Sequence, residues 1–224
     1  MAGQKTISNG KCSLCGGVFG KAAMTAHLKS CRRKQAAAER PEQGSRKTPA
    51  FHLVVQGRYL AEYWMHLEVS AKATLDTLDR FLRDTWLECC GHMSEFGIDG
   101  TRYSVEPMDR DDETMDVKLT DVLAPGMKFD HVYDFGSTTH LRLKVVSEDQ
   151  SDLAGKKVRI LARNEPPVIP CERCGQPAAQ VCTQCIYSGK GWLCEKCAAE
   201  HECGDEMFLP VVNSPRVGVC GYTG

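Results

Sequence analysis

Near its carboxyl end the chain carries cysteine and histidine residues in an order that is typical of zinc proteins. Three C-x2-C pairs are followed by a histidine and one more cysteine: Cys171, Cys174, Cys182, Cys185, Cys194, Cys197, His201 and Cys203. Eight thiol and imidazole ligands are the number that two closed tetrahedral zinc sites need, and a closed site with four protein ligands is structural rather than catalytic. The sequence therefore predicts two structural zinc ions in this region.

The short loop between the first two C-x2-C pairs favours a crossed pairing of these ligands, in which alternate pairs share an ion. A resemblance to B-box-like and other cross-brace zinc fingers implies the same pairing. One zinc is then held by Cys171, Cys174, Cys194 and Cys197, and the other by Cys182, Cys185, His201 and Cys203. Sharing between adjacent pairs is the alternative. Cys220 is the alternative to Cys203, because ligands two residues apart face different sides of a regular helix.

A further ligand set lies near the amino end, in the order Cys12, Cys15, His27 and Cys31. Two cysteines on a tight turn hold an ion from one side, and His27 and Cys31, four residues apart on a helix, close the tetrahedron. The segment resembles the C-x2-C…H-x3-C class of ββα zinc fingers, with a central spacing one residue shorter than the usual ~12. So short a segment buries too little apolar surface to fold alone, so the metal supplies its folding free energy. We expect three Zn²⁺ ions per chain.

The charge of the chain is unevenly distributed. The net charge is -1, but residues 1–50 contain 10 of the 28 Lys and Arg residues and 2 of the 29 acidic ones. Residues 1–47 thus form a basic arm that can contact the phosphates of a nucleic acid. The contact residues would be Lys29, Arg32, Arg33 and Lys34. The exposed helix positions offer no Arg or Asn set suited to base edges, and protein docking or a solvated basic tail are the alternatives.

Composition divides the chain into four segments. The finger with its basic helix occupies residues 1–34, and a polar run over 35–48 is expected to be a flexible linker that lets the finger move independently. An α+β domain follows over 49–165, and 166–224 contains the double-zinc module and a tail. No segment reaches the ~20 apolar residues that cross a membrane, and no signal peptide is evident, so we expect a cytoplasmic protein.

The middle segment alternates between apolar and polar residues. This pattern predicts strands over 51–57, 62–69, 102–107, 128–135, 139–147 and 156–163. Apolar residues at helical spacing predict one main helix, with Thr74 as its cap and Leu75, Leu78, Phe81, Leu82 and Trp86 on its buried face. A short helix is expected over 119–126. The order of elements predicts an antiparallel or mixed sheet packed on one helix, with a β-grasp-like topology.

The same region resembles the Ri-plasmid ORF-three-like family, mostly prokaryotic proteins of which some travel as passengers of insertion elements. The resemblance covers about residues 51–147, and its most specific part is the sequence YDFG followed by His140. Members usually continue YDFG with an acidic residue and a tryptophan, where this chain has Ser137, Thr138 and Thr139. Polar and aromatic groups are thus missing from any site there. The resemblance implies a fold more than a function.

A catalytic role would have to use polar residues of the middle domain. The candidates for a metal or acid–base site are His92, Glu95, His131, Asp134 and His140. The chain has no glycine-rich phosphate loop, nucleophile elbow or H-E-x-x-H sequence. Cys89 and Cys90 are interpreted as packing residues on a helix.

The leading functional prediction is therefore a non-enzymatic zinc-binding scaffold or adaptor whose partner is another protein. A nucleic-acid-binding accessory factor of a mobile element, acting through the basic arm, is the second prediction. A metal-dependent hydrolase is the third. The sequence identifies neither the partner nor the oligomeric state.

Overall fold

The computed structural model of the protein describes residues 8–38, 47–107 and 110–224. Most of the predicted linker, residues 39–46, lies outside the described residues. The first residues of that linker, 35–38, form the end of a helix.

The described chain is mixed α+β and consists mostly of sheet, as the sequence predicts. The helices are α1 (Lys21–Ala38), α2 (Leu75–Leu82), α3 (Leu119–Val122) and α4 (Glu195–Ala199). The strands of the first half are β1 (Asn9–Cys12), β2 (Val18–Gly20), β3 (Thr48–Gly57), β4 (Trp64–Ser70), β5 (Ser94–Ile98), β6 (Thr101–Ser104) and β7 (Asp112–Thr114). Those of the second half are β8 (Lys128–Tyr133), β9 (Thr139–Ser151), β10 (Val158–Asn164), β11 (Gln180–Cys182), β12 (Trp192–Leu193) and β13 (Phe208–Pro210).

Ten strands form one sheet in the order β2-β1-β10-β4-β3-β9-β8-β5-β6-β7, and three form a second sheet in the order β12-β11-β13. Every neighbouring pair is antiparallel except β6 and β7, which are parallel. The predicted strands of the middle domain are all present, with small differences at their ends. Strand β5 was not predicted. It lies between β8 and β6 in the sheet.

The main helix forms where its capping and apolar residues predict it. The Thr74 hydroxyl accepts a hydrogen bond from the backbone N–H of Thr77 at 3.2 Å, which satisfies one free donor at the start of α2. Leu75, Leu78 and Leu82 are fully buried against the sheet. After Leu82 the chain continues as one π-helical turn, Arg83–Leu87, which buries Trp86.

Strand β4 is buried on both faces, which explains how the sheet is built around it. Met65, Leu67 and Val69 belong to the main core on the side of α2. The alternate residues Trp64, His66 and Glu68 point to the other face, because side chains alternate along a strand. All of these side chains are fully buried.

The segment predicted as a finger covers that second face, so the expectation that it moves independently is wrong. Strand β1 pairs with β10, with Cys12 opposite Ala162. The apolar residues of the finger share one cluster with Trp64, Leu161 and Ala162. Gly10 passes so close to the Trp64 ring that an added Cβ would lie 2.5 Å from it. The finger is too small to form a hydrophobic core by itself, so its apolar residues pack against those of the sheet.

A buried ion-pair network lies beneath the finger. The Glu68 carboxylate is fully buried and pairs with both Arg32 of α1 and Arg159 of β10. Arg32 also pairs with Asp149 at 3.2 Å. Arg32 was predicted to contact nucleic acid, but its side chain is only 15% exposed and pairs with the buried Glu68 and with the exposed Asp149.

A buried histidine pair lies in the same layer. His52 Nε2 and His66 Nδ1 are 2.9 Å apart, so one ring donates a hydrogen bond to the other. Burial lowers the pKa of His66 to about 3 and, together with the charge of Arg32, lowers that of His52 to about 4.

We expect this pair to make the protein sensitive to acid. Below pH ~6.5, the unfolded-state pKa of histidine, both histidines bind protons in the unfolded chain but stay neutral in the folded protein. The free energy of unfolding therefore decreases as the pH is lowered, by up to ~2.7 kcal/mol per pH unit for the two histidines together. The double variant His52→Leu, His66→Leu should have a shallower slope of unfolding free energy between about pH 6.5 and 5, measured with urea. Equal slopes would contradict the role of the pair, since any acid release of metal affects both proteins alike.

No helix among the described residues is long and apolar enough to span a membrane.

Candidate metal centres

Tetrahedral zinc geometry gives a simple distance test for each ligand set. With Zn–S near 2.3 Å and Zn–N near 2.0–2.1 Å, ligand atoms should lie about 3.8 Å apart for two sulfurs and about 3.5 Å for sulfur and nitrogen. Four groups of side chains among the described residues have all their ligand atoms within 4.8 Å of one another. Three of them are the sets that the sequence predicts.

The first set joins the end of β1, the following turn and helix α1. It consists of Cys12, Cys15, His27 and Cys31. Cys15 Sγ lies 3.3 Å from His27 Nε2, and the Phe19 ring stacks on the His27 ring with centroids 4.2 Å apart. The backbone N–H of Gly17 donates to Cys15 Sγ and lowers the pKa of that thiol. These contacts favour the Cys15 thiolate and orient the His27 ring, whereas burial raises the pKa of the Cys31 thiol to about 11.

The second set contains four cysteines: Cys171, Cys174, Cys194 and Cys197. Cys174 Sγ and Cys194 Sγ are 3.6 Å apart, close to a tetrahedral edge. Burial of Cys171 opposes ionisation, but backbone N–H groups, including that of Cys194, lower the pKa of this thiol to about 6. Four sulfur ligands suit a soft ion such as Zn²⁺.

The third set contains Cys182, Cys185, His201 and Cys203. Cys185 Sγ and Cys203 Sγ are 3.7 Å apart. Helix α4 ends at Ala199, so the backbone has left the helix before His201 and can turn both of the last ligands inward. Cys203 therefore occupies the position for which Cys220 was the alternative. The second and third sets draw on alternate pairs, which is the crossed arrangement.

The fourth group was missed by the sequence reasoning. It consists of Cys89, Cys90, His92 and Cys220. Cys89 packs against the main core, as interpreted, but neither cysteine lies on a helix, because the helical turn ends at Leu87, and Cys90 is exposed. The sequence Cys-Cys-x-His at residues 89–92 could have indicated a metal site, but no feature of that segment indicates Cys220 as the fourth ligand.

The candidate catalytic residues do not converge on one point. His92 Nε2 lies 3.4 Å from Asp134 Oδ2, whereas His131 is buried and bonded to Asp79 at 2.7 Å. Glu95 and His140 flank Val132 on either side of β8. Two strand spacings, roughly 9–10 Å, separate their backbones.

A family model described as "plasmid pRiA4b ORF-3-like protein" matches residues 57–178, more than half of the chain. The chain belongs to this family. The resemblance of the middle domain is thereby confirmed. The match includes Cys89, Cys90 and His92 of the fourth group, but it leaves the finger and most of the C-terminal ligands outside.

In this member of the plasmid pRiA4b ORF-3-like family, the YDFG segment forms a strained turn. Asp134 has a φ of +65°, and its Oδ1 accepts hydrogen bonds from the N–H groups of Gly136 and Ser137. Its Oδ2 accepts from Arg216 at 2.7 Å. The tail of the chain thus fills the space beside the residues that depart from the usual family sequence.

A crystal structure of a protein of unknown function from Methanosarcina mazei Go1 is 14% identical, covers 57% of this chain and 75% of its own, and has a TM-score of 0.44. A comparison with curated proteins finds no match.

Proposed function

We propose that this protein is a non-enzymatic zinc-binding scaffold or adaptor that binds another protein. In this proposal a β-grasp-like domain is flanked by a ββα-like zinc finger and a B-box-like cross-brace module, with one Zn²⁺ in the finger and two in the module. The observation that carries it is that each predicted set supplies four protein ligands. Four protein ligands leave no open coordination position for a substrate. Such thiolate sites persist in a reducing compartment, which favours the cytoplasm.

Two exposed aromatic side chains support the proposal that the partner is a protein. Tyr59 is 76% exposed and Phe135 is 50% exposed. Tyr59 lies in the loop between β3 and β4, where its ring packs edge-on against His140 at 5.5 Å. Phe135 lies in the loop that leads into β9, the strand of His140. Both aromatic side chains are thus presented at the same end of the sheet, and aromatic residues are enriched at protein interfaces.

The interaction can be tested with a matched pair of variants. Tyr59→Ser with Phe135→Ser removes the aromatic surface, whereas Tyr187→Ser removes a tyrosine that is 82% exposed in the C-terminal module. In quantitative affinity purification from the native host, we expect a partner that is retained by the wild type and by Tyr187→Ser and lost from the double variant. Identical protein sets for all three baits would contradict the proposed surface.

Nucleic-acid binding is the second candidate function, because three of the four predicted contact residues are exposed. Lys29, Arg33 and Lys34 lie on α1 with their side chains exposed. An accessory factor of a mobile element could use them to contact phosphates, and binding would then weaken steeply with salt.

Charge reversal tests this alternative without disturbing the fold. The triple variant Lys29→Glu, Arg33→Glu, Lys34→Glu leaves the ion pairs of Arg32 in place. Duplex or single-stranded nucleic acid at ~0.1 M salt should bind the wild type and not the variant. Equal binding by both proteins, or none by either, would exclude the basic helix as a nucleic-acid surface.

A further inference from the structure

We propose that Cys89, Cys90, His92 and Cys220 form a fourth metal site, which binds Zn²⁺ and fastens the C-terminal tail to the middle domain. This inference goes beyond the proposed function, which needs only the three predicted sets. It assigns a ligand role to the two central cysteines and to the cysteine that the cross-brace module leaves unused.

Three distances within the group match the edges of a zinc tetrahedron. Cys90 Sγ lies 3.6 Å from Cys89 Sγ and 3.7 Å from Cys220 Sγ, and Cys220 Sγ lies 3.6 Å from His92 Nε2. The expected edges are about 3.8 Å and about 3.5 Å. The contact of Cys90 Sγ with His92 Nε2, at 3.0 Å, is shorter. All sulfur separations are far longer than the ~2.05 Å of a disulfide.

The local backbone holds the first three ligands in place. The Glu88 carboxylate accepts hydrogen bonds from the N–H of Gly91 at 2.5 Å and from the Tyr133 hydroxyl at 3.0 Å. The Tyr133 oxygen also accepts from the N–H of His92 at 3.3 Å. Gly91 has a φ of +78°, which turns the chain sharply between Cys90 and His92. The loop is therefore shaped by contacts outside the ligand set.

The tail carries the fourth ligand into place through buried contacts. The Ser214 hydroxyl donates to the backbone oxygen of Trp86 at 2.7 Å. Arg216 is fully buried and donates to the Ser137 backbone oxygen and to the Thr139 hydroxyl, both at 3.0 Å. Cys220 then takes a φ of +55°, unusual for a residue other than glycine, asparagine or aspartate. Strain of this kind persists where the surroundings impose it.

The charges around the group suit a metal–thiolate centre. Three thiolates and one Zn²⁺ carry a net charge of about −1. One nitrogen of the Arg216 guanidinium, Nη2, lies 3.3 Å from Cys89 Sγ and 2.7 Å from Asp134 Oδ2. A cationic donor to a ligand sulfur stabilises the thiolate and orients it. Thiolate and imidazole ligands select zinc over magnesium or calcium.

This site is more exposed than the other three. Cys90 and Cys220 are both exposed, whereas each predicted set contains at least one buried cysteine. We therefore expect a chelator to remove the fourth ion first. Its loss should loosen the tail, so that amide hydrogen exchange rises over residues 217–224.

Native mass spectrometry of the zinc-loaded full chain tests the proposal. We expect four zinc ions in the wild type, three in Cys220→Ser and four in the tail control Thr223→Ser. Three ions in both the wild type and Cys220→Ser would overturn the fourth site and leave the proposed function intact. A chain lighter by two hydrogens, with three ions, would show a disulfide in place of the metal and would also overturn it.

A second variant keeps the test decisive if Cys220→Ser does not fold. His92→Cys retains four ligands, so it should still bind four ions. After exchange with ¹¹³Cd, the wild type should give three NMR signals of the three-sulfur, one-nitrogen class and one of the four-sulfur class. His92→Cys should give two of each, and an unchanged spectrum would contradict ligation by His92.

Discussion

Replacement of Cys12 by serine is expected to destabilise the central sheet as well as the finger. Cys12 is a ligand of the first set and is 1% exposed in the cluster that the finger shares with Trp64 and Leu161. Without the ion the finger loses the free energy that folds it, and the second face of β4 loses its cover. We expect a loss of more than ~4 kcal/mol, the range typical of losing a structural metal. A loss of ~4 kcal/mol alone corresponds to a fall of roughly 8–16 °C in Tm.

Hydrogen exchange would locate this effect. Amides of β4 and β10 should exchange faster in Cys12→Ser, because the pairing of β10 with β1 is lost. The control is Ala26→Ser, which changes an exposed residue on helix α1 of the finger and leaves the ligands untouched. Unchanged protection of β4 and β10 in Cys12→Ser would contradict the coupling of finger and sheet.

Substitution of Asp134 by asparagine is expected to cost about 3–5 kcal/mol of folding free energy, the range found when one partner of a buried ion pair is removed. Asparagine tolerates the positive φ and keeps an oxygen that accepts from Gly136 and Ser137. The fully buried Arg216 guanidinium loses the carboxylate with which it pairs. The loss of folding free energy in this variant therefore measures the ion pair and not the turn.

Asp130→Asn is the matched control for this variant. Asp130 lies on β8, the strand that ends just before Asp134. Its side chain is 37% exposed and pairs with Arg58 and Arg142 at the surface. Exposed pairs contribute about 0–1 kcal/mol, so urea unfolding should change little. Equal losses in both variants would contradict the burial of the Asp134–Arg216 pair as the cause.

Local sequence patterns predicted most of the secondary structure because they depend on neighbouring residues. Alternation located the strands of the middle domain, and Thr74 with the spaced leucines located α2. Strand β5 was missed, since its five residues include Gly97 and show too short an alternation. The three predicted ligand sets could also be recognised from local sequence, because each C-x2-C pair forms one turn.

Contacts between residues far apart in the sequence could not be predicted from local patterns. Nothing in the finger specifies that β1 pairs with the edge of β10, because many strand edges satisfy the same backbone groups. The fourth ligand group joins residues 128 positions apart, His92 and Cys220, through a tail whose docking depends on Arg216. The position of Cys203 was an open choice, and the early end of α4 at Ala199 decides it.

X-ray absorption at the zinc edge, together with metal content per chain, tests the central claim most directly. We expect four-coordinate zinc with sulfur near 2.3 Å, a smaller nitrogen contribution near 2.0–2.1 Å and no bound water. Both the predicted sets and the fourth group contain more cysteine than histidine, so sulfur should dominate. Five- or six-coordinate zinc, or a shell rich in oxygen, would contradict closed structural sites and with them the non-enzymatic scaffold.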